Sequence, residues 1–362
     1  MADAAPDHSS LSVVRKRLPF DVFDAVNKLV LEILKDSGLL KGQALALDSS
    51  TMDANAAMCS IVRKDTNESY ASYVEGLARS VGEQAPTRAE RATFDKKREG
   101  RTTSNADWAS AVDPDAKVTR TKVRRTHLAY KPEHAVDLES GAIVAATMNA
   151  ADRSDHDTSA GTLIRALENL EHVEMPTEAI TIVRDKGYHS EAVIAGCAVA
   201  ELRTCVSEPR RRGRHRWTDK SEHARRSIQR NHRRVKSTLG KRLLRRRGET
   251  VERSIAHVLE TGGMRRTHPR GLANNKKQYL VQVSAFNLGL VMRKLCCFGT
   301  PRGLAAAMAA LFGVLVALIR RLVPARCTII RNPGVGRSAS AQPTALGEQP
   351  RLSGNTPSST GC

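Results

Sequence analysis

Residues 134–146 read His134-Ala135-Val136-Asp137-Leu138-Glu139-Ser140-Gly141-Ala142-Ile143-Val144-Ala145-Ala146. Two apolar runs rich in β-branched residues flank a Ser-Gly turn, which is the pattern of a β-hairpin. Upstream, Ala44-Leu45-Ala46-Leu47-Asp48 is a short apolar run that stops at an acid and passes into Ser-Ser-Thr, as a buried strand with an acidic end would. Downstream, Leu163, Ile164, Leu167 and Leu170 recur at helical spacing. Pro176 separates that helix from Ala179-Ile180-Thr181-Ile182-Val183-Arg184-Asp185, a second apolar strand ending in an acid. A helix and a strand at 203–207 follow. Strand, hairpin, helix, strand, helix, strand predicts an α/β chain whose mixed sheet carries helices on its faces.

Around this centre the signals are simpler. Val14, Phe20, Val22, Phe23, Val26, Leu29, Val30 and Ile33 at spacings of three and four predict one amphipathic helix within 11–40, ending near Gly38. Residues 84–118 are polar, charged and poor in apolar anchors, and are expected to form an extended loop. Residues 251–259 and 279–295 read as helices, and 338–362, rich in Ser, Pro and Gly, as a disordered tail. The stretch 303–319 is uncharged for 17 residues, at the lower limit for a membrane span. No second span accompanies it, so a buried or partner-packed helix is expected and a membrane partner is not.

The chain has 362 residues, 40% of them hydrophobic, which is enough to bury a core. Its formal charge is +20, which biases it toward a polyanionic partner. That charge is local: 210–247 holds 17 Lys or Arg against Asp219 and Glu222, a net +15 in 38 residues. Within it Arg210, Arg211, Arg212, Arg233, Arg234, Arg245, Arg246 and Arg247 are candidate phosphate contacts, and Trp217 could stack on a base or anchor the segment. The seven cysteines form no zinc-type spacing and suggest no disulfide scaffold. The acidic, small-residue N-terminus does not read as a secretory signal, and a reducing cytoplasm fits best.

Asp48 and Asp185 each end an apolar strand, which places both carboxylates at the rim of one sheet, where crevices form. Carboxylates so placed can bind Mg²⁺, and a third acid on a nearby helix would complete the site; Glu252 is the candidate. Two such ions would serve displacement at phosphorus. The plain alternatives are that the aspartates cap turns and that Glu252 is a solvated helix residue.

Several blocks, in order, carry a resemblance. They are Leu45-Ala46-Leu47-Asp48-Ser49-Ser50-Thr51-Met52-Asp53-Ala54-Asn55-Ala56, Ser104-Asn105-Ala106-Asp107-Trp108 with Asp113-Pro114-Asp115-Ala116-Lys117, Tyr130-Lys131-Pro132-Glu133-His134-Ala135-Val136-Asp137, Arg184-Asp185-Lys186-Gly187-Tyr188, Val251-Glu252-Arg253-Ser254, Arg270-Gly271-Leu272 and Phe286-Asn287-Leu288. Over roughly residues 20–300 the chain resembles bacterial insertion-sequence transposases of the DDE type. The resemblance implies a ribonuclease H-like fold, with Asp48, Asp185 and Glu252 catalytic and ligating two Mg²⁺ ions, Mn²⁺ being able to substitute. It implies nicking at the ends of the element and attack by the freed 3′-hydroxyl on target DNA, without a covalent enzyme intermediate. Lys186, Arg247 and Arg253 would contact phosphate or orient the glutamate. The implied partners are terminal-repeat and target DNA and further copies of the chain, in a bacterial cytoplasm at the nucleoid.

The sequence also departs from the family. Related enzymes often carry Tyr, Arg and Lys at set spacings around the glutamate, where this chain has Arg245, Gly248 and Leu259. Of the helical N-terminal region that binds terminal repeats, only a last helix near 19–40 corresponds. The expected organisation is therefore a helical remnant at 1–43, a catalytic domain at 44–298 containing the basic segment, an apolar helix and extension at 299–337, and the tail. A truncated remnant that binds DNA without cleaving it is the alternative. An RNA-binding protein for which the three acids are irrelevant is a third reading.

Overall fold

The computed structural model describes residues 8–84, 87–99, 105–120, 125–209, 220–297 and 301–322. In chain order its elements are α1 (His8–Arg17), α2 (Phe20–Asp36), β1 (Ala44–Ser49), β2 (Met52–Asp53), β3 (Ile61–Arg63), α3 (Tyr70–Ser80), α4 (Arg88–Lys97), β4 (Trp108–Ser110), β5 (Lys117–Arg120), β6 (Thr126–Asp137), β7 (Ile143–Ala150), α5 (Asp155–His172), β8 (Thr181–Arg184), α6 (Glu191–Val199), β9 (Arg203–Val206), α7 (Glu222–Lys236), α8 (Thr238–Ala256), α9 (Leu272–Cys296) and α10 (Pro301–Leu322). Short 3-10 turns lie at Met58–Ser60 and Lys186–Tyr188, and a π-helical turn at His257–Thr261.

The quoted hairpin is β6 and β7, and β6 is the organising strand. Its second half pairs antiparallel with β7 on one side and with β1 on the other, Asp48 lying opposite His134. Its first half pairs with β5 and with the two-residue β2. Beyond β1 the sheet turns parallel, with β8 and then β9. The order β7-β6-β1-β8-β9, three antiparallel strands followed by two parallel ones, with helices on both faces, is the mixed α/β sheet of a ribonuclease H-like core.

Local chemistry explains the hairpin. Asp137 is fully buried; its Oδ2 accepts from the N–H groups of Lys41 and Gly42 at 2.8 Å each, and its Oδ1 from Glu139 at 2.7 Å. One carboxylate thereby holds the hairpin turn and the entry to β1, and Gly141 closes the turn at φ +79°. Pro132 inside β6 lies opposite Ser50 and removes one ladder bond, the one a residue with an N–H would donate to the Ser50 carbonyl, where β1 gives way to β2. Its carbonyl accepts from Ser50 N–H, so its own nitrogen faces the same side, the gap between β1 and β2.

Alternation along the strands sorts the core into two layers. Leu45, Leu47, Ala135 and Ile182 pack with Leu163, Ala166 and Leu170 of α5 and with Leu31 and Leu34 of α2. Ala44, Ala46, Val136 and Val183 pack with Val251 and Ile255 of α8 and with Tyr279, Val283 and Phe286 of α9. Both edge strands are closed by an asparagine. Asn287 of α9 accepts from Ile143 N–H at 2.9 Å and donates to its carbonyl at 2.8 Å. Asn231 of α7 treats Val206 of β9 the same way, at 2.8 and 3.0 Å. Asn287→Leu, which strands two buried backbone groups on β7, is expected to cost about 2 kcal/mol in urea unfolding. An unchanged midpoint would mean that water replaces the side chain.

Several expectations are corrected here. The single helix of 11–40 is two, because Pro19 takes an extended conformation as the N-cap of α2. The face of α2 that buries is Asn27, Val30, Leu31 and Leu34, while Val22, Val26 and Leu29 stay exposed. The expected loop at 84–118 contains α4, β4 and part of β5. Thr87 and Glu90 form a capping box at the start of α4, Tyr70 donates to Asp95 at 2.6 Å, and Trp108 lies edge-on against Tyr70 and Tyr73. Pairwise polar contacts and one aromatic cluster replace the apolar periodicity there. The apolar stretch forms α10, whose Met308, Leu311, Phe312 and Val314 are exposed. No helix among the described residues is long and apolar enough to cross a membrane. The expected tail at 338–362 lies outside the described residues.

Candidate active site

The sheet register brings the two aspartates together. In the parallel pair β1 and β8, Ala46 lies opposite Val183. Two residues further along each strand come Asp48 and Asp185, on the same face as Ala46 and Val183 and under α8. Asp48 accepts from Ser49 N–H at 2.9 Å. Asp185 ends its strand as the N-cap of the Lys186–Tyr188 turn, accepting from Gly187 N–H at 2.7 Å. Burial pushes the Asp48 carboxyl above the usual carboxylate range; Arg247 and the Ser49 N–H pull it down, and the charge of Asp185 pushes it up again. Two carboxylates so placed repel unless a cation lies with them.

Arg247 supplies that cation in this structure. It reaches from α8 to donate through Nη1 to Asp48 Oδ2 at 2.9 Å, both side chains mostly buried. Arg247 and Val251 are one turn apart and share the stripe of α8 that meets the sheet. Glu252 flanks that stripe and is exposed. Its Oε1 folds back along the helix, 3.9 Å from where a Cβ on Gly248 would stand. Among the described residues no three His, Cys, Asp or Glu groups are close enough to hold a metal ion together. Asp48 and Asp185 offer hard oxygen donors suited to Mg²⁺, and the guanidinium already seated on Asp48 shows that the site accepts positive charge.

Behind the aspartates, on the α5 face, lies a polar network. Ser49 donates to Asp155 at 2.8 Å, and Lys131 pairs with the same oxygen at 2.6 Å. Burial opposes ionisation of Asp155, but Lys131 and Ser49 hold its carboxyl below the usual range. Glu133, fully buried, accepts from Tyr188 at 2.8 Å and from Thr162. Burial raises its carboxyl. Gly187 links network and site: a Cβ there would stand 3.1 Å from both Asp155 Oδ2 and Asp185 Oδ1. A side chain at this position would require both carboxylates to give way by a few tenths of an ångström.

Of the basic candidates, Lys186 is exposed on the turn after Asp185, and Arg253 is exposed beside Glu252. Arg245 and Arg246 are exposed on α8, the latter donating to the Glu139 carbonyl at 2.9 Å. Arg233 and Arg234 lie at the end of α7. Arg210, Arg211, Arg212 and Trp217 lie outside the described residues. The pairing of Arg247 with Asp48 and the roles of Asp155, Lys131 and Glu133 were not read from sequence. A signal for the last two was present: Lys131 and Glu133 are charged residues at period two inside a strand, which puts both on one face of a buried sheet.

Residues 175–292 match a family model described as transposase DDE domain. The match takes in β8 with Asp185, α8 with Arg247 and Glu252, and most of α9; Asp48 lies before it and joins through the register of β1. No curated protein and no solved structure matches the chain.

Proposed function

We propose that this chain, a DDE-type transposase by its domain at 175–292, cleaves DNA at the ends of an insertion sequence and transfers the freed ends to target DNA. The observation that best supports this reading is the juxtaposition of Asp48 and Asp185 on adjacent parallel strands, with a cation-bearing helix over them. Asp48 and Asp185 would hold Mg²⁺, or Mn²⁺ in its place, and Glu252 would complete the set from α8. When bound, the ions would polarise the scissile phosphate and lower the pKa of the attacking oxygen. The protein's own groups do the rest. Arg247 neutralises Asp48 before DNA arrives and can pass its guanidinium to a phosphate, which it binds as well as a carboxylate. Lys186 and Arg253, exposed on either side, can take neighbouring phosphates. The network of Ser49, Asp155 and Lys131 ties the end of β1 to β6 through the first residue of α5. Action on two DNA ends implies further copies of the chain, and the setting is the nucleoid of a bacterial cytoplasm.

The test is nicking of supercoiled DNA carrying the element's ends. Nicking that requires Mg²⁺ and stops with EDTA is the expected result. The ion pair between Arg247 and Asp48 also favours a second reading, a chain that binds DNA with its metal site closed. A folded preparation that binds DNA with steep salt dependence and never nicks it would establish that reading instead.

A further inference from the structure

At the other end of the parallel strands lies a small cavity of about 240 Å³, lined by Ala198, Glu201, Leu202, Arg203, Thr204, Ser227, Arg230 and Arg234. Arg203 begins β9 and pairs in register with Thr181, the first residue of β8, whereas Asp185 follows the last. Four residues of strand, about 13 Å, therefore separate this cavity from the level of the aspartates. Arg230 and Arg234 are one turn apart on α7, where like charges cost helix stability. Neither they nor Arg203 forms an ion pair among the described residues, and Arg234 donates only to the Thr204 carbonyl, at 3.2 Å. Burial, and then the charges of Arg203 and Arg230, lowers the pKa of Arg234, as expected of cations crowded without an anion. Ser227 is 5% exposed and its hydroxyl makes no hydrogen bond among the described residues. Glu201 also lines the cavity without pairing with any of the three arginines, leaving a net +2.

We infer that this cavity binds a phosphate group, held by Arg203, Arg230 and Arg234 with Ser227 donating a hydroxyl, at a site separate from the aspartates. The space is below the roughly 300–1,000 Å³ of small-molecule sites, so it suits one phosphate and not a whole nucleotide. A guanidinium fork matches phosphate oxygens two at a time. The phosphate can come from a DNA backbone or from free phosphate, and two measurements separate these sources. The inference goes beyond the proposed cleavage and does not need it, because both measurements are made without divalent metal.

Arg203 and Arg230 are exposed, so Arg203→Ala/Arg230→Ala should fold, and Arg230→Lys serves as the conservative variant. In the full chain, duplex DNA affinity is expected to fall about tenfold in the double variant, with the salt slope smaller by about 0.9 for one lost phosphate contact. Thermal unfolding in inorganic phosphate tests the other source. Stabilisation in wild type that the double variant loses, with duplex affinity unchanged, would keep the phosphate site and assign it to the free ion. Should neither duplex affinity, salt slope nor phosphate stabilisation differ between a folded double variant and wild type, the inference is overturned. A chain that never nicks DNA still gives each of these readings, so failure of the cleavage proposal is distinguishable.

Discussion

Asp185→Asn is expected to reduce Mg²⁺-dependent nicking by roughly a thousandfold while leaving the unfolding midpoint close to that of wild type. The substitution keeps the shape and the acceptor oxygen, so the bond from Gly187 N–H survives and the turn after β8 stays capped. What is lost is the charge. A metal ion acting as a Lewis acid is worth several kcal/mol of transition-state stabilisation, and about 1.4 kcal/mol is tenfold in rate, hence the magnitude. Asp48→Asn should reduce nicking as much. It also leaves the mostly buried Arg247 guanidinium without its carboxylate, so, unlike Asp185→Asn, it is expected to lower the unfolding midpoint as well. Glu252→Gln is the sharper probe of the third acid, because the residue is exposed and has no structural duty to confuse the result. Nicking at wild-type rate in the folded aspartate variants would remove the carboxylate pair from the chemistry.

The second large effect concerns stability at acid pH. His134 is fully buried between α8 and α9, with Nδ1 3.1 Å from Ser254 Oγ and Nε2 2.7 Å from the Tyr279 hydroxyl. The Ser254 proton is donated to the Val251 carbonyl at 2.9 Å, so Ser254 accepts from Nδ1–H and Tyr279 donates to Nε2. The ring is neutral in this arrangement, and a proton on Nε2 would break the bond from Tyr279. Burial lowers the His134 pKa to about 3 from the ordinary 6.5. Between those values the unfolded chain binds a proton that the folded chain refuses. Stability is therefore whole above pH 6.5 and declines as pH falls toward 3. At about 1.4 kcal/mol per unit, the loss from pH 6.5 to 4.5 is roughly 3 kcal/mol. Urea midpoints across that range should fall less steeply in His134→Gln, which is less stable at neutral pH but titrates nothing there. Equal slopes for the two proteins would show that carboxylates alone carry the acid sensitivity.

The strands at 44–49, 134–137, 143–146 and 181–184 were legible because a run of apolar residues, or one that alternates, carries its burial in one dimension. So were Asp48 and Asp185 as acids at strand ends. The segment 84–118 was not legible, because Tyr70 with Asp95 and the Tyr70-Trp108-Tyr73 cluster stabilise it through contacts that leave no periodic mark. Nor was the buried face of α2, which carries apolar residues on two sides; which side buries depends on α5 and α9. Arg247 reads as one basic residue among 17 until the fold sets it on Asp48, 199 residues earlier. By itself the sequence determined the class of fold, the two aspartates at strand ends and the local concentration of charge, since each depends on residue type and near spacing. Only the tertiary structure decided that Ala46 faces Val183, so that Asp48 faces Asp185, and that α8 brings Arg247 rather than Glu252 onto the pair. Those outcomes rest on strand register and side-chain reach between distant segments, which no local pattern encodes.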